Sequence, residues 1–205
     1  PHKLRFDYVL DASEKEPRAR WAALSLAGAL PPAVANAAPF ESRPTQPLPW
    51  PSWRPSFVAE ATPIRVPPPA LEILHTAAGG TLRARLSSPR GALDAGLVVP
   101  SQRLRAARVN GKPVRAVASK NVIAALRSGA LSHVVCHTTG KQGVEVELEL
   151  IGDTPVDVFV WDSTDGLPEE GAGLAAARGP EHVTFQQGDR TVVYTRRVLH
   201  PERGR

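Results

Sequence analysis

The amino-acid sequence predicts a mainly β fold, an antiparallel β-sandwich of jelly-roll-like type with one or two short helices and a proline-rich extended arm. Short segments from residue 70 onward alternate apolar and polar residues, as strands with one buried face do. The pair Asn110-Gly111 stands between two such segments and is typical of a β-hairpin turn. Twelve of the 21 prolines fall between Pro31 and Pro69, which predicts the arm.

Residues 1–30 predict a pair of strands that joins the sandwich. Residues 4–11, LRFDYVLD, alternate well enough to form one strand, and residues 20–26 are its expected partner. The charged segment 13–18 between them contains Pro17, which is typical of a turn.

Residues 31–69 form the predicted arm. Proline fixes φ and removes a backbone donor, so we expect neither a helix nor a central strand here. Trp50, Trp53 and Phe57 predict that the arm lies along a protein surface. A proline-rich ligand for a recognition groove is the alternative, but the segment lacks a clean repetition of P-x-x-P with flanking basic residues.

Residues 70–200 form the predicted sandwich, and residues 201–205 a tail. The clearest strand is 143–151, where valines and leucines alternate with Glu145, Glu147 and Glu149. Further strands are expected at 82–86, 131–137, 156–161 and 191–198, for seven to nine in all. Short helices are predicted at 168–178 and, on a weaker pattern, at 119–127.

Composition narrows the possible functions. The net charge is +5, and the basic residues are interleaved with acidic ones instead of forming one run. We therefore expect a solvated basic surface and no specific nucleic-acid partner. A single cysteine excludes an internal disulfide, and no segment approaches the ~18–20 apolar residues of a membrane span. The chain lacks methionine and starts at Pro1, which predicts a fragment whose targeting or anchoring segments lie in missing sequence.

The candidate catalytic and metal-binding groups have ordinary structural interpretations. In a strand, His133 and His137 share one face and Cys136 points to the other, so the three would not converge on a metal. Residues 162–166, DSTDG, have the composition of a calcium loop without its remaining oxygen ligands, and predict a tight turn. Nucleophile-elbow and phosphate-loop motifs are missing. We therefore predict no catalytic, cofactor-binding or metal-binding residue.

Three tryptophans are candidate ligand contacts. Trp161 ends a predicted strand, and Trp50 and Trp53 lie in the arm. Exposed aromatic rings stack on sugars and peptides, whereas a tryptophan in the core only packs. Both interpretations stay open for Trp161.

Three stretches resemble the C-terminal region of membrane-bound di-zinc aminopeptidases, in metallopeptidase family twenty-eight, which are relatives of the endoplasmic-reticulum metallopeptidases. They are YVLDAS…ARW at 8–21, LRARLSSPRGA at 82–92 followed by RVNGKPV at 108–114, and GVEVELEL with VWDSTDGLP at 143–168 ahead of TVVYTRRV. The resemblance extends over most of the chain and departs from the family pattern at 118–129.

This resemblance implies a β domain that follows a zinc peptidase domain and transmembrane helices, on the extracytoplasmic (periplasmic) side. Zinc is expected in the missing peptidase domain, because none of the six histidines here stands in an H-x-D motif. The expected function is that of a non-catalytic accessory domain, tethered to the membrane through missing sequence. Its expected partners are its own peptidase and membrane domains and a peptide substrate. A free-standing carbohydrate- or peptide-binding β-sandwich is the alternative.

Overall fold

The computed structural model describes residues 2–51, 55–119 and 130–201 of the chain. Strands hold 49% of the residues and helices 10%, which confirms the mainly β fold class. In chain order the elements are β1 His2–Asp11, β2 Arg18–Ser25, α1 Pro32–Ala37, β3 Phe57–Ala61, β4 Ala70–Ala77, β5 Thr81–Ser87, β6 Asp94–Pro100, β7 Leu104–Val109, β8 Lys112–Val114, β9 Val117–Ser119, β10 Leu131–Cys136, β11 Val144–Leu150, β12 Val156–Asp165, α2 Ala172–Ala177, β13 His182–Val183 and β14 Arg190–Leu199.

The described residues form two compact units. The first contains residues 2–51, 55–65 and 164–193, and the second contains residues 66–119, 130–163 and 194–201. Residues 164–193 thus group with the N-terminal strands in the first unit.

The first unit is built on the strand pair that the sequence predicted. Its strand order is β3-β2-β1-β14, and β13 pairs with β1 in parallel. β1 and β2 run antiparallel, and Tyr8 lies opposite Trp21. The rings of these two residues pack edge to face, with their centroids 4.9 Å apart. Leu4, Phe6 and Tyr8 are fully buried, because every second residue of β1 faces the interior. The pair predicted at 4–11 and 20–26 is confirmed.

The proline-rich segment contains one short helix, so the expectation of none is wrong at α1. Pro32 begins that helix, where a missing N–H removes no intrahelical bond. The rest of the segment is tied to the start of β3. Thr45 and Ser56 exchange two backbone hydrogen bonds of 2.8 Å, and the Glu41 N–H donates to the Val58 carbonyl at 2.8 Å. β3 itself ends the strand order, the position that a proline-flanked strand tolerates.

The second unit is an antiparallel β-sandwich, as predicted. One sheet has the order β14-β12-β6-β10-β9 and the other β4-β5-β11-β7-β8. Buried apolar side chains from both sheets form one core, to which alternate residues of β11, including Val146 and Leu148, contribute. The glutamates between them point outward, where Arg83 binds Glu145 at 2.5 Å and Arg108 binds Glu147 at 2.6 Å.

The predicted hairpin joins β7 and β8. Asn110 and Gly111 have φ values of +49° and +75°. Positive φ at both central residues is the requirement of a type I′ turn, whose twist matches that of the strands. The hairpin prediction is confirmed.

The predicted helix at 168–178 is present as a 3₁₀ turn, Glu169–Gly171, that continues into α2. The helix predicted at 119–127 lies outside the described residues, except for Ser119, which ends β9.

The tight turn predicted at 162–166 is wrong in extent. β12 continues to Asp165, and the chain turns at Gly166, where φ is +85°. Asp162 remains in the strand because its buried carboxylate accepts hydrogen bonds from Ser88 Oγ and Arg90 Nη2, both at 2.5 Å. These bonds take the place of the local backbone bonds that a turn would offer.

We expect Asp162→Ala to destabilise the chain by about 3–5 kcal/mol, because Arg90, whose side chain is 10% exposed, would lose its buried carboxylate. The matched control is Asp157→Ala, which breaks an exposed pair with Arg196 and should cost about 0–1 kcal/mol. Urea unfolding of both variants measures the difference. Equal losses would contradict the assignment of Asp162 as a buried structural anion.

Candidate functional site

A cleft of about 520 Å³ opens in the first unit beside β1, and we call it the β1 cleft. Its volume lies within the ~300–1,000 Å³ range of small-ligand sites. Its lining is half apolar and half polar. The apolar residues are Val9, Leu24, Pro47, Leu48, Phe185 and Val192, and the polar ones are Lys3, Arg5, Asp7, Ser56, Gln186 and Gln187.

Strand alternation places four β1 residues in this cleft. Lys3, Arg5, Asp7 and Val9 are two positions apart, so their side chains leave the same side of the strand. The residues between them face the interior of the unit. One strand therefore builds both the core and the ligand-facing wall.

The aromatic ring of Phe185 lies near both cations of the cleft. Lys3 Nζ lies 5.7 Å from the centroid of the Phe185 ring, and the guanidinium carbon of Arg5 lies 6.0 Å from it. At partly exposed positions such cation–π contacts are each worth about 0.5–1 kcal/mol. Phe185 belongs to the segment between β13 and β14, so these contacts hold that segment against β1.

Arg5 and Asp7 form an ion pair in the cleft wall. Arg5 Nη2 donates to Asp7 Oδ2 at 2.7 Å, and Arg5 Nη1 donates to Gln187 Oε1 at 3.3 Å. Burial raises the pKa of the Asp7 carboxyl above its usual value, and the nearby Arg5 charge opposes that rise. The second oxygen, Oδ1, is buried without a hydrogen-bond partner among the described residues. An unmet buried acceptor of this kind costs about 1–3 kcal/mol.

Lys3 is the cation of the cleft that lacks a carboxylate partner. Its side chain is exposed, and its ammonium forms no salt bridge with any residue in the described ranges. Because Arg5 and Asp7 neutralise each other, the three charged groups of the lining sum to one positive charge, that of Lys3. The cleft is therefore suited to a ligand with a single negative charge.

The proline-rich arm supplies the facing wall through Pro47 and Leu48. The backbone bonds between Thr45 and Ser56 enclose this stretch and hold it in place. Ser56 also lines the cleft, with its side chain 4% exposed. These described residues of the arm thus contribute to the cleft, and the placement of the whole arm along a surface stays a prediction.

Trp50 and Trp161, two of the tryptophans that the sequence singled out, do not line the β1 cleft. Trp50 is buried, at 6% exposure, and Trp53 falls outside the described residues. Trp161 is half-buried in the second unit and packs against Gly96, where a Cβ atom would lie 2.8 Å from its Nε1. That nitrogen is buried without a hydrogen-bond partner in the part of the chain that the structure describes. A ligand role for these tryptophans stays a prediction.

The histidine and cysteine side chains near β10 separate. Cys136 lies in the core of the second unit, whereas the exposed His137 contacts Asp94 through Nδ1 at 2.9 Å. Burial lowers the pKa of His133. Within residues 2–51, 55–119 and 130–201, no group of three His, Cys, Asp or Glu side chains is arranged to hold a metal ion.

Comparisons with known proteins identify no relative: no family model, curated protein or solved structure matches the chain. Among the described helices, none has both the length and the apolar character needed to cross a bilayer.

Sequence reasoning missed the β1 cleft, although one signal was available. Lys3, Arg5 and Asp7 place three charges on alternate positions of a strand whose other face is apolar. A charged face on a strand usually means solvent, so the pattern alone does not indicate a cavity. Phe185, Gln186 and Gln187 come from a distant segment with no recognisable motif.

We expect Cys136 to resist thiol reagents in the folded protein. Burial raises the pKa of its thiol to about 11, so the reactive thiolate is scarce near neutral pH, and the side chain is 1% exposed. Labelling with an aromatic disulfide reagent at pH 8 should be slow in buffer and fast in guanidinium chloride. Because Cys136 is the single cysteine, rapid labelling of the folded chain would show that it is not in the core.

Proposed function

We propose that this chain is a non-catalytic accessory module that binds peptides, and that it serves a membrane-anchored zinc aminopeptidase. The observation that carries the binding role is the β1 cleft, whose lining combines six apolar residues, one of them the aromatic Phe185, with six polar ones. This composition is typical of ligand sites, in which apolar contacts supply affinity and polar groups fix orientation.

A peptide can contact both the apolar and the polar residues that line the cleft. Val9, Leu24 and Leu48 offer apolar surface to side chains, and the exposed amides of Gln186 and Gln187 can exchange hydrogen bonds with a peptide backbone. The ligand would bind beside β1 without unfolding any strand.

The parent enzyme is proposed from the resemblance of the three sequence stretches to membrane-bound di-zinc aminopeptidases. In that arrangement the peptidase domain holds the zinc, and the module lies on the extracytoplasmic side, tethered through other parts of the parent. The module would then bring peptides to the peptidase domain or restrict access to it. The comparisons neither support nor oppose this parentage.

We expect the purified chain to bind no stoichiometric zinc and to release no product from aminoacyl p-nitroanilides. The reason is that this sequence contains no H-x-D motif, from which the zinc site of the family that it resembles is built. Elemental analysis after zinc dialysis and a chromogenic assay measure both properties. Two zinc ions per chain, with an activity lost on chelation, would overturn the non-catalytic assignment.

A free-standing carbohydrate-binding module is the second candidate function. Trp161 favours it, because this residue packs against Gly96 but is only half-buried, and a partly exposed indole is a surface on which a sugar stacks. This site would belong to the second unit, and Trp161 is not among the residues that line the β1 cleft.

Two matched variants separate the candidates. We expect Phe185→Ala to weaken peptide binding at least tenfold, because it removes the aromatic wall, and Trp161→Ala to leave it unchanged. Titration of ¹⁵N-labelled chain with short peptides and with oligosaccharides measures both, and circular dichroism checks folding. An oligosaccharide response that depends on Trp161, without any peptide response, would replace the first proposal by the second.

A further inference from the structure

We infer that the β1 cleft binds the carboxyl-terminal end of an apolar peptide, with the Lys3 ammonium as the partner of the terminal carboxylate. This inference rests on the proposed peptide-binding function and specifies its ligand. Three observations carry it: the unmatched charge of Lys3, the unmet oxygen of Asp7 and the length of the wall between them.

Lys3 is the group placed to receive the anion. Arg5 already donates through Nη2 to Asp7 at 2.7 Å and through Nη1 to Gln187 at 3.3 Å, so both terminal nitrogens are engaged, while its buried Nε has no hydrogen-bond partner among the described residues. The exposed ammonium of Lys3 has three donors and no carboxylate partner among the described residues. Its position 5.7 Å from the centroid of the Phe185 ring places it beside the aromatic residue of the lining, where it can donate a charge-assisted hydrogen bond to a carboxylate.

Asp7 Oδ1 favours a peptide over a simple carboxylic acid. This buried oxygen accepts no hydrogen bond from the described residues. A peptide end brings backbone N–H donors together with its carboxylate, whereas a fatty or aliphatic acid brings only the carboxylate. A peptide can therefore satisfy both ends of the charged wall, given a small side-chain adjustment that opens Oδ1 to it.

The spacing along β1 sets the length of the bound segment. Lys3 and Asp7 are four residues apart on one strand, which corresponds to about 13 Å at ~3.3 Å per residue. An extended peptide that spans both groups therefore has about four residues. Leu24, which lies opposite Arg5 on β2, and Phe185, which lies beside Lys3, favour apolar side chains in the bound segment.

The experiment compares three ligands on the full chain by isothermal titration calorimetry. They are acetyl-Ala-Leu-Ala-Leu with a free carboxylate, the same peptide with a C-terminal amide, and hexanoate. At low ionic strength we expect the free acid to bind about tenfold more tightly than the amide and than hexanoate. Amide spectra of ¹⁵N-labelled chain should shift at Lys3, Val9 and Phe185.

Charge variants test the assigned partner. Lys3→Gln keeps a long polar side chain and removes the charge, so we expect the preference for the acid over the amide to fall to less than twofold. Lys15→Gln, an exposed lysine of the first unit that does not line the cleft, should retain it. Raising the salt concentration should reduce the preference in the wild type and leave Lys3→Gln unaffected.

The outcomes are distinguishable. Equal binding of acid and amide, with shifts at the cleft, would overturn the carboxylate assignment and keep the peptide-binding function. Hexanoate binding as tightly as the peptide acid would make the ligand a simple carboxylate and overturn the peptide assignment. A preference that survives Lys3→Gln would remove Lys3 from the site. No response to either peptide would overturn the proposed function together with this inference.

Discussion

Side chains leave a β-strand on alternate sides, and β1 uses both sides for different purposes. Leu4, Phe6 and Tyr8 fill the interior of the first unit, and burying them supplies the stabilisation that keeps β1 in place. The opposite side carries Lys3, Arg5 and Asp7 into the cleft. Because the period of a strand is two, a slip of one residue would exchange the two sets and destroy core and cleft together. The geometry of the site therefore depends on the packing behind it.

The same alternation in the second unit leads to a different surface. β11 buries its valines and leucines and turns its glutamates outward, toward arginines of the two neighbouring strands. Arg83 and Arg108 bind these glutamates across the sheet, so the charges on that face largely neutralise one another. In the β1 cleft Arg5 and Asp7 form an ion pair, whereas Lys3 has no carboxylate partner among the described residues. The apolar residues around Lys3 distinguish the cleft from the β11 face, where Arg85 also has no ion pair among the described residues.

Much of the fold follows from local pattern. The strand pair of the first unit, the Asn110-Gly111 hairpin and β11 were all predicted, because period-two alternation and left-handed turn residues act within a few positions. Two predictions were wrong: the tight turn at 162–166 and the absence of a helix from the proline-rich segment. Asp162 stays in a strand because Ser88 and Arg90 bind it, and α1 begins at Pro32 because the first turn of a helix needs no proline N–H.

The sequence by itself determined the fold class, most strand positions and the composition of each strand face, since all three depend on neighbouring residues. Only the tertiary structure decided that a cleft exists. It brings Gln187 to Arg5, 182 positions earlier, and sets Phe185 beside Lys3. It also decided that Trp50 is buried and that one carboxylate of the cleft is already matched. Such contacts depend on how whole strands pack together, so the pattern of neighbouring residues in the sequence does not predict them.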